Sequence, residues 1–326
     1  MSASACPACG LSGVELIARH NLAEQHALLA PADATLQQEL AAIAALAATE
    51  YVMLQCLHCG LEFSSPMRTP PSEWYRLAYA ALNLYPAHRW EFDEVLRHVR
   101  QGESLLEIGC GAGVFLEKCR RHGVEAAGLD FSAYAVEVCR SRGLRASRVD
   151  LANQPDLGAI ERVAHIAGFH VIEHLERPAA LFQYARVHAQ PGSHLWLSVP
   201  SNLRAVRWFG QRDCLDEPPH HMTRWNAAAL AEIGARHSWR MIELQYEPLT
   251  LRAAVWWISV CSPVYLRWKA AQRFRSRWVE RSFRTLLLPY AILRRLTTLR
   301  HLSGHSMLAQ FVHEGRAAQA NSNGDS

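Results

Sequence analysis

From Ser104 onward, short runs of Leu, Ile, Val and Ala alternate with longer stretches of helical period. That rhythm predicts an α/β fold in which a sheet with parallel strands is covered by helices on both faces. Strands are expected at 104–108, 124–130, 145–150, 163–169, 193–199, 239–247 and 305–312, with helices in the gaps. Pro178 suits the first turn of a helix running to Gln190, and Pro191-Gly192 suits the turn into the strand around Leu195 to Val199. Nearer the start, Leu36, Leu40, Ile43 and Leu46 recur at helical spacing in an alanine-rich stretch from Thr35 to Glu50, which predicts an inserted helix. Pro66 to Pro71 reads as a linker, and the aromatic-rich run from Trp74 to Val99 as one or two helices capping the sheet domain. The expected organisation is a cysteine-bearing module over 1–70, capping helices over 71–100, the sheet domain over 101–250 and 302–315, a helical insert over 251–301 and a disordered tail over 316–326.

The insert changes the charge picture. Residues 251–300 hold eleven Lys and Arg against one acid, Glu280, so this block is strongly cationic although the whole chain carries only +4. On a helical wheel Trp268, Ala271, Phe274, Trp278, Val279 and Phe283 share one side, while Lys269, Arg273, Arg277, Arg281 and Arg284 share the other; Arg275 breaks the pattern. A basic amphipathic helix with tryptophans fits an anionic membrane interface, and equally a helical cap on the sheet domain or a dimer contact.

The half-apolar composition of the 326 residues supports a real core, which excludes a disordered chain. The start lacks the charged and apolar regions of a signal peptide, and no apolar run reaches the roughly 18–20 residues that span a bilayer, so a cytoplasmic site is expected, with peripheral attachment at the inner face of the membrane through the insert. In a reducing compartment nine cysteines are not a disulfide framework. Four of them form two Cys-x-x-Cys-Gly knuckles, Cys6/Cys9 and Cys56/Cys59, whose spacing suits four thiolates on one structural Zn2+ with no open position.

The strand at 104–108 runs into Glu107-Ile-Gly109-Cys-Gly111-Ala-Gly113, where alternate glycines let the backbone approach a ligand before a helix begins. A dinucleotide site would need a third glycine where Val114 stands, and Glu107 is out of place for pyrophosphate. Together with Gly128-Leu-Asp130-Phe-Ser and Phe169-His-Val-Ile-Glu-His174, this motif resembles the class I S-adenosylmethionine-dependent methyltransferases, over roughly residues 100 to 250 and again near 304. The resemblance implies a Rossmann-like seven-stranded sheet, with a core like that of the ubiquinone-biosynthesis O-methyltransferases and an N-terminal zinc ribbon. It also implies a cofactor site of Glu107, Gly109, Gly111, Gly113, Asp130, Phe131, Asp150, Leu151 and His170. In it Asp130 accepts both ribose hydroxyls, and Asp150 accepts from the adenine amino group between the apolar walls Phe131 and Leu151. The plainer reading makes both acids helix caps.

Histidines gather where the acceptor is expected. His170, Glu173 and His174 follow the fourth strand, and His220 and His221 fall in the connection after the fifth. Methyl transfer needs an aligned and deprotonated acceptor, and histidine titrates in the right range, so His174, His220 and His221 are the candidate bases; His174 also suits packing at a helix start or metal ligation. In the family motif an acid stands where His170 does, which disfavours a hard cation here. The letters His170-x-x-Glu-His174 also match an inverted zinc-protease motif, which the upstream motifs outweigh. The favoured reaction is O-methylation of a small-molecule, glycan or lipid-linked metabolite. Methylation of RNA and a non-catalytic cofactor-binding scaffold are the alternatives.

Overall fold

The computed structural model describes residues 5–29, 33–82, 88–151, 162–208, 214–250 and 302–315, with a few isolated positions between 253 and 293. Apart from those positions, the basic insert and the expected C-terminal tail lie outside the described residues. No helix among the described residues is long and apolar enough to cross a membrane. The chain divides into two compact units: Met1–Val199 with Cys214–Gln245 and Leu308–Ser326, and Pro200–Asp213 with Tyr246–Met307.

The first unit opens with β1 (Val14–Asn21), α1 (Leu22–Leu29), α2 (Ala34–Ala45), β2 (Glu50–Cys56) and β3 (Glu62–Ser65), the strands pairing antiparallel in sequence order. Asp33 caps α2 by accepting the Leu36 N–H at 2.9 Å. Leu40 is buried, with Leu36 and Ile43 packed beside it against Tyr51, Trp74 and Met222. Leu46, the fourth residue of the expected apolar stripe, is 77% exposed because α2 stops at Ala45.

After α3 (Ser72–Leu82) and α4 (Trp90–His98), strand β4 (Ser104–Ile108) starts the main sheet. It continues through α5 (Val114–Arg121), β5 (Glu125–Asp130), α6 (Ala133–Ser141), β6 (Ala146–Arg148), β7 (Val163–Phe169), α7 (Ala179–His188) and β8 (Ala189–Pro200). The seven strands lie in the order β10-β11-β8-β7-β4-β5-β6, where β10 is Trp239–Tyr246 and β11 is Ser306–His313. The block from β8 to β6 is parallel, so each strand must be covered on both faces. α5 shows how the sequence does this: Phe115, Leu116 and Cys119 are buried, while Glu117 pairs with Arg120 and Arg121 on the outside. Phe92 of α4 joins Phe115 and Phe169 in the core, with ring centroids 4.8–5.1 Å apart. Burial of each such ring is worth roughly 1.5–3 kcal/mol.

All seven expected strands of this sheet are present, and two differ in extent. β6 is only three residues long, and β8 begins at Ala189, ahead of the Pro191-Gly192 turn. Val163 is opposite Ala189 but His165 is opposite His194, so residues 190–193 make an excursion within one strand, closed by the Gln190 N–H on Ser193 Oγ at 3.0 Å. β9 (Thr223–Arg224) is too short to leave a period in the sequence; it pairs with β3 and completes the four-stranded order β1-β2-β3-β9. α9 (Ala227–Arg236) follows, capped by the Asn226 side chain.

In the second unit the described residues include α8 (Ala205–Trp208) and a bridge between Arg204 and Ser303, where the Ser201 and Ser303 hydroxyls lie 2.5 Å apart.

Candidate active site

β5 follows β4 on one side, while β7 lies on its other side, so the strand order reverses at β4 and the crevice beyond the carboxyl ends of β4 and β7 is where such sheets bind ligands. The chain bends sharply there. The N–H groups of Gly109 and Cys110 both donate to Leu129 O, at 2.7 and 3.0 Å. Gly109 has φ +76°, and a Cβ at this position would come within 2.3 Å of Val171 Cγ2, so any side chain there is strained both by the backbone and by this contact. Gly113, also at φ +76°, is the residue before α5, with Leu144 and Cys139 closing the space where a side chain would go.

Asp130 ends β5 with its carboxylate turned back to this bend. Oδ2 accepts the Gly111 N–H at 2.8 Å and Oδ1 the Ser132 N–H at 2.9 Å. A carboxylate offers about four lone-pair positions, so about two remain for a ligand. The helix-cap alternative does not describe Asp130, because Ser132 caps α6 by accepting the Ala135 N–H. Burial raises the Asp130 pKa, with the backbone N–H groups of Ser132, Gly111 and Phe131 pulling the other way. Glu107 is 4% exposed, and Oε2 has no hydrogen-bond partner among the described residues. Burial, reinforced by the Asp130 charge, pushes its carboxyl well above the usual range against the pull of Arg89. Two buried acids, one with an orphaned oxygen, await hydroxyl or cationic partners.

A cavity of about 1060 Å³ opens from this bend. Glu107, Gly109, Gly111, Asp130, Phe131, Asp150, Leu151, His170, His174, His220 and His221 all line it. Gly113 and Glu173 are not on its wall; the first shapes the start of α5 and the second lies fully buried below His170. Phe131 is 44% exposed and Asp150 is exposed, as a binding surface requires.

His170 leaves β7 at φ +55°, a conformation rare for a side chain of this size. Its Nδ1 is 3.1 Å from Glu173 Oε1 and its Nε2 is 3.2 Å from Glu91 Oε1. Burial and Arg89 lower its pKa, but the two carboxylates prevail and hold it above the ordinary value. Glu173 is held low despite its burial, because His170 and His174 favour its charged form. Glu91 was not foreseen. The one signal for it is an acid beside Phe92 on the buried face of α4, a place where an unpaired carboxylate would be costly.

His174, His220 and His221 come together although 45 residues separate the first two in sequence. Their ring centroids are 4.5–4.7 Å apart, and the Tyr75 ring stands 5.8 Å from both His174 and Phe131. The loop is pinned by the Met222 N–H on Glu173 O at 2.7 Å and by the Ser64 N–H on Met222 O at 2.8 Å. Arg224 ties Asp216 of the same loop to Glu62 of β3. Burial, with the neighbouring His220 and His221, pushes the His174 pKa well below its usual value, so its imidazole is neutral. Tyr75, too, went unrecognised in the sequence, where it is one aromatic among several on a helix.

The four N-terminal cysteines also converge. Cys6 and Cys59 sulfurs are 3.6 Å apart, as are Cys9 and Cys56, and all four lie within 4.8 Å of one another. A tetrahedral zinc with about 2.3 Å bonds to sulfur needs edges of about 3.8 Å. The knuckles repeat each other, with the Gly10 N–H on Cys6 O at 2.8 Å and the Gly60 N–H on Cys56 O at 2.9 Å. Burial pushes the Cys6 thiol up to about 11, whereas backbone N–H groups and the neighbouring cysteines bring Cys56 down to about 7 against its own burial.

Residues 84–244 match the family model described as a methyltransferase domain. Curated relatives include the ubiquinone biosynthesis O-methyltransferase of Cronobacter sakazakii, 31% identical over 33% of this chain and 46% of that protein. That of Pectobacterium carotovorum subsp. carotovorum is 27% identical over 33% and 47%. The chain thus spans about half the length of the curated relatives it matches. A solved S-adenosylmethionine-dependent methyltransferase from Archaeoglobus fulgidus is similar at 17% identity, with 68% of this chain and 90% of that one covered and a TM-score of 0.44.

Proposed function

We propose that this chain, which carries a class I S-adenosylmethionine-dependent methyltransferase domain, is an O-methyltransferase acting on a hydroxyl of a small-molecule, glycan or lipid-linked acceptor. Bound S-adenosylmethionine supplies a methyl group made electrophilic by a cationic sulfur. The observation that carries the reading is Asp130: a buried carboxylate fixed by two backbone N–H groups, with about two acceptor positions left for the two ribose hydroxyls. The orphaned Glu107 Oε2 offers a further acceptor at the same bend. Asp150, with Phe131 and Leu151 beside it, suits the adenine.

On the wall of the same cavity, His174, His220 and His221 face the acceptor with Tyr75. A neutral imidazole accepts a proton, and the cluster relieves the acceptor hydroxyl of its proton as the oxygen turns nucleophilic. His170, held between Glu173 and Glu91, fixes the backbone between the nucleoside and acceptor ends. Cys6, Cys9, Cys56 and Cys59 hold a structural Zn2+ with no open coordination position, so its contribution is to folding.

Two measurements test this. Calorimetry should show S-adenosylhomocysteine binding to the full chain and a strong loss in Asp130→Ala; equal affinity in both proteins contradicts the ribose role. Incubation with methyl-labelled cofactor and separate glycan, lipid, quinone-like and RNA fractions should label an alcohol or phenol oxygen. Label confined to RNA, or absent everywhere while the nucleoside still binds, overturns the acceptor assignment.

A further inference from the structure

Each cysteine knuckle ends in a glycine, Gly10 at φ +76° and Gly60 at φ +71°, and each glycine is faced by a side chain from one end of α9. A Cβ on Gly60 would come within 2.9 Å of Asn226 Nδ2, and one on Gly10 within 2.8 Å of Arg236 Nη2. Hydrogen bonds accompany these close approaches. Asn226 Nδ2 donates to Cys59 O at 3.1 Å, and Arg236 Nη1 donates to Ala8 O at 2.6 Å. The two knuckles therefore hold the two ends of a single ten-residue helix.

Asn226 has two partners at once. Its Oδ1 accepts the Ala229 N–H at 2.9 Å and caps α9, while its NH2 reaches the carbonyl of Cys59. A backbone N–H can only donate and a carbonyl can only accept, so both partners fix the same orientation of the amide. The residues just before it belong to the histidine loop: Thr223 and Arg224 form β9, Met222 is bonded to Glu173 and Ser64, and His220 and His221 line the cavity. His220 O in turn takes the His174 Nδ1–H at 2.7 Å. The second knuckle is thus joined to the cavity wall by one side-chain bond and the short run from Asn226 back to His221.

From this geometry we propose that Asn226 is a positioning residue for the acceptor: by tying the second knuckle to the start of α9 it sets the His220–His221 loop, so that the order of the cysteine module is read at the acceptor wall. Capping alone does not require the Cys59 bond, because Oδ1 suffices for it. The nucleoside bend is built separately, from the Gly109 and Cys110 N–H groups on Leu129 O and from Asp130 on Gly111 and Ser132, so it keeps its form when the loop moves. The inference deepens the methyltransferase reading and rests on it for what the loop faces.

The test uses the full chain and three variants. Asn226→Ser keeps a capping oxygen and loses the donor to Cys59, Asn226→Ala loses both, and Arg236→Ala frees the first knuckle at the end of α9 away from the loop. Hydrogen exchange is read at the His220, His221 and Met222 amides, which are bonded to Glu217 O and Glu173 O, with the Gly109 and Cys110 amides as control. The His174 Nδ1–H resonance reports the bond to His220 O directly. In Asn226→Ser the loop amides should exchange about 2–10-fold faster, the effect of losing one neutral hydrogen bond, and the His174 resonance should move while the control amides do not. Asn226→Ala should do the same and also expose the Ala229 amide, whereas Arg236→Ala should leave the loop amides within about twofold of wild type. Wild-type loop exchange and an unmoved His174 resonance in Asn226→Ser overturn the proposal, because Asn226 then only caps α9. Equal acceleration of loop and control amides, or an Arg236→Ala effect equal to that of Asn226→Ser, overturns it as general loosening. Calorimetry with S-adenosylhomocysteine on the same proteins keeps the two readings apart: Asn226→Ser should bind within twofold of wild type, a larger loss overturns the independence of the bend, and a wild-type protein that does not bind refutes the nucleoside site while the loop result stands.

Discussion

Replacing Asp130 by Asn keeps the shape of the side chain and removes its charge, which makes it the sharpest probe of the proposed nucleoside site. The carboxylate spends one acceptor position on the Gly111 N–H and one on the Ser132 N–H, leaving one on each oxygen. Hydrogen bonds to a charged acceptor contribute about 1.5–3 kcal/mol each, so two bonds to ribose set an upper range of about 3–6 kcal/mol. An amide can still accept through one oxygen, so the expected loss is about 3–4 kcal/mol, or roughly 10²–10³-fold in Kd. The amide must also turn its NH2 toward one of the two backbone donors, at a folding cost of about 1–3 kcal/mol. Calorimetry with S-adenosylhomocysteine gives the affinity and thermal melting followed by circular dichroism gives the folding cost, so the two losses are read separately. An Asp130→Asn protein that melts below wild type but binds within twofold of it would refute the argument, because the carboxylate would then serve only the bend.

Other changes probe the neighbouring groups. Gly109→Ala combines a left-handed φ, costing roughly 1–2 kcal/mol, with a clash at Val171 Cγ2; adding Val171→Ala should relieve only the second, visible as a partial recovery of the melting temperature. The Glu107 pKa is raised on folding, so above the usual value of 4.5 the folded chain keeps a proton that the unfolded chain has released, and stability falls as pH rises toward the folded value. Glu107→Gln should therefore flatten the melting-temperature profile of the ligand-free protein above about pH 4.5 while weakening nucleoside binding; an unchanged profile would show that Glu107 ionises normally. Stripping metal from Cys6, Cys9, Cys56 and Cys59 should raise amide exchange in β1, β2 and β3 and then in the His220–His221 loop, whereas exchange confined to the knuckles would show the loop stands without them.

The main sheet was legible in the sequence because its inner strands β4 and β7 are buried on both faces and read as apolar runs with sharp ends. Ile108 gives way to Gly109, and Leu129 to Asp130, at the points where the strands stop and the cavity begins. The acid on α4 was not legible in the same way: Glu91 occupies a buried face whose apolar members are Phe92, Val95 and Leu96, and only the fold brings His170 to within 3.2 Å of it. The excursion at 190–193 was half legible, since Pro191-Gly192 announces a bend but not that pairing with β7 resumes on the same strand.

The histidine cluster is different in kind, because no local period encodes it. His174 meets His220 and His221 through a two-residue strand and single backbone bonds: Thr223 and Arg224 pair with Phe63 and Glu62, and Met222 is held between Ser64 and Glu173. β3 pairs in turn with β2, whose last residue is Cys56. The cysteine cluster and the histidine cluster are thus anchored to one small sheet, and only two residues of its fourth strand are supplied by the methyltransferase domain. A strand that short contributes little pairing energy of its own, so the position of the histidine loop depends on the order of β2 and β3. Four thiolates gathered on the proposed ion would fix the turn between those strands, which gives the cysteine cluster a direct mechanical reason to sit beside the histidine cluster.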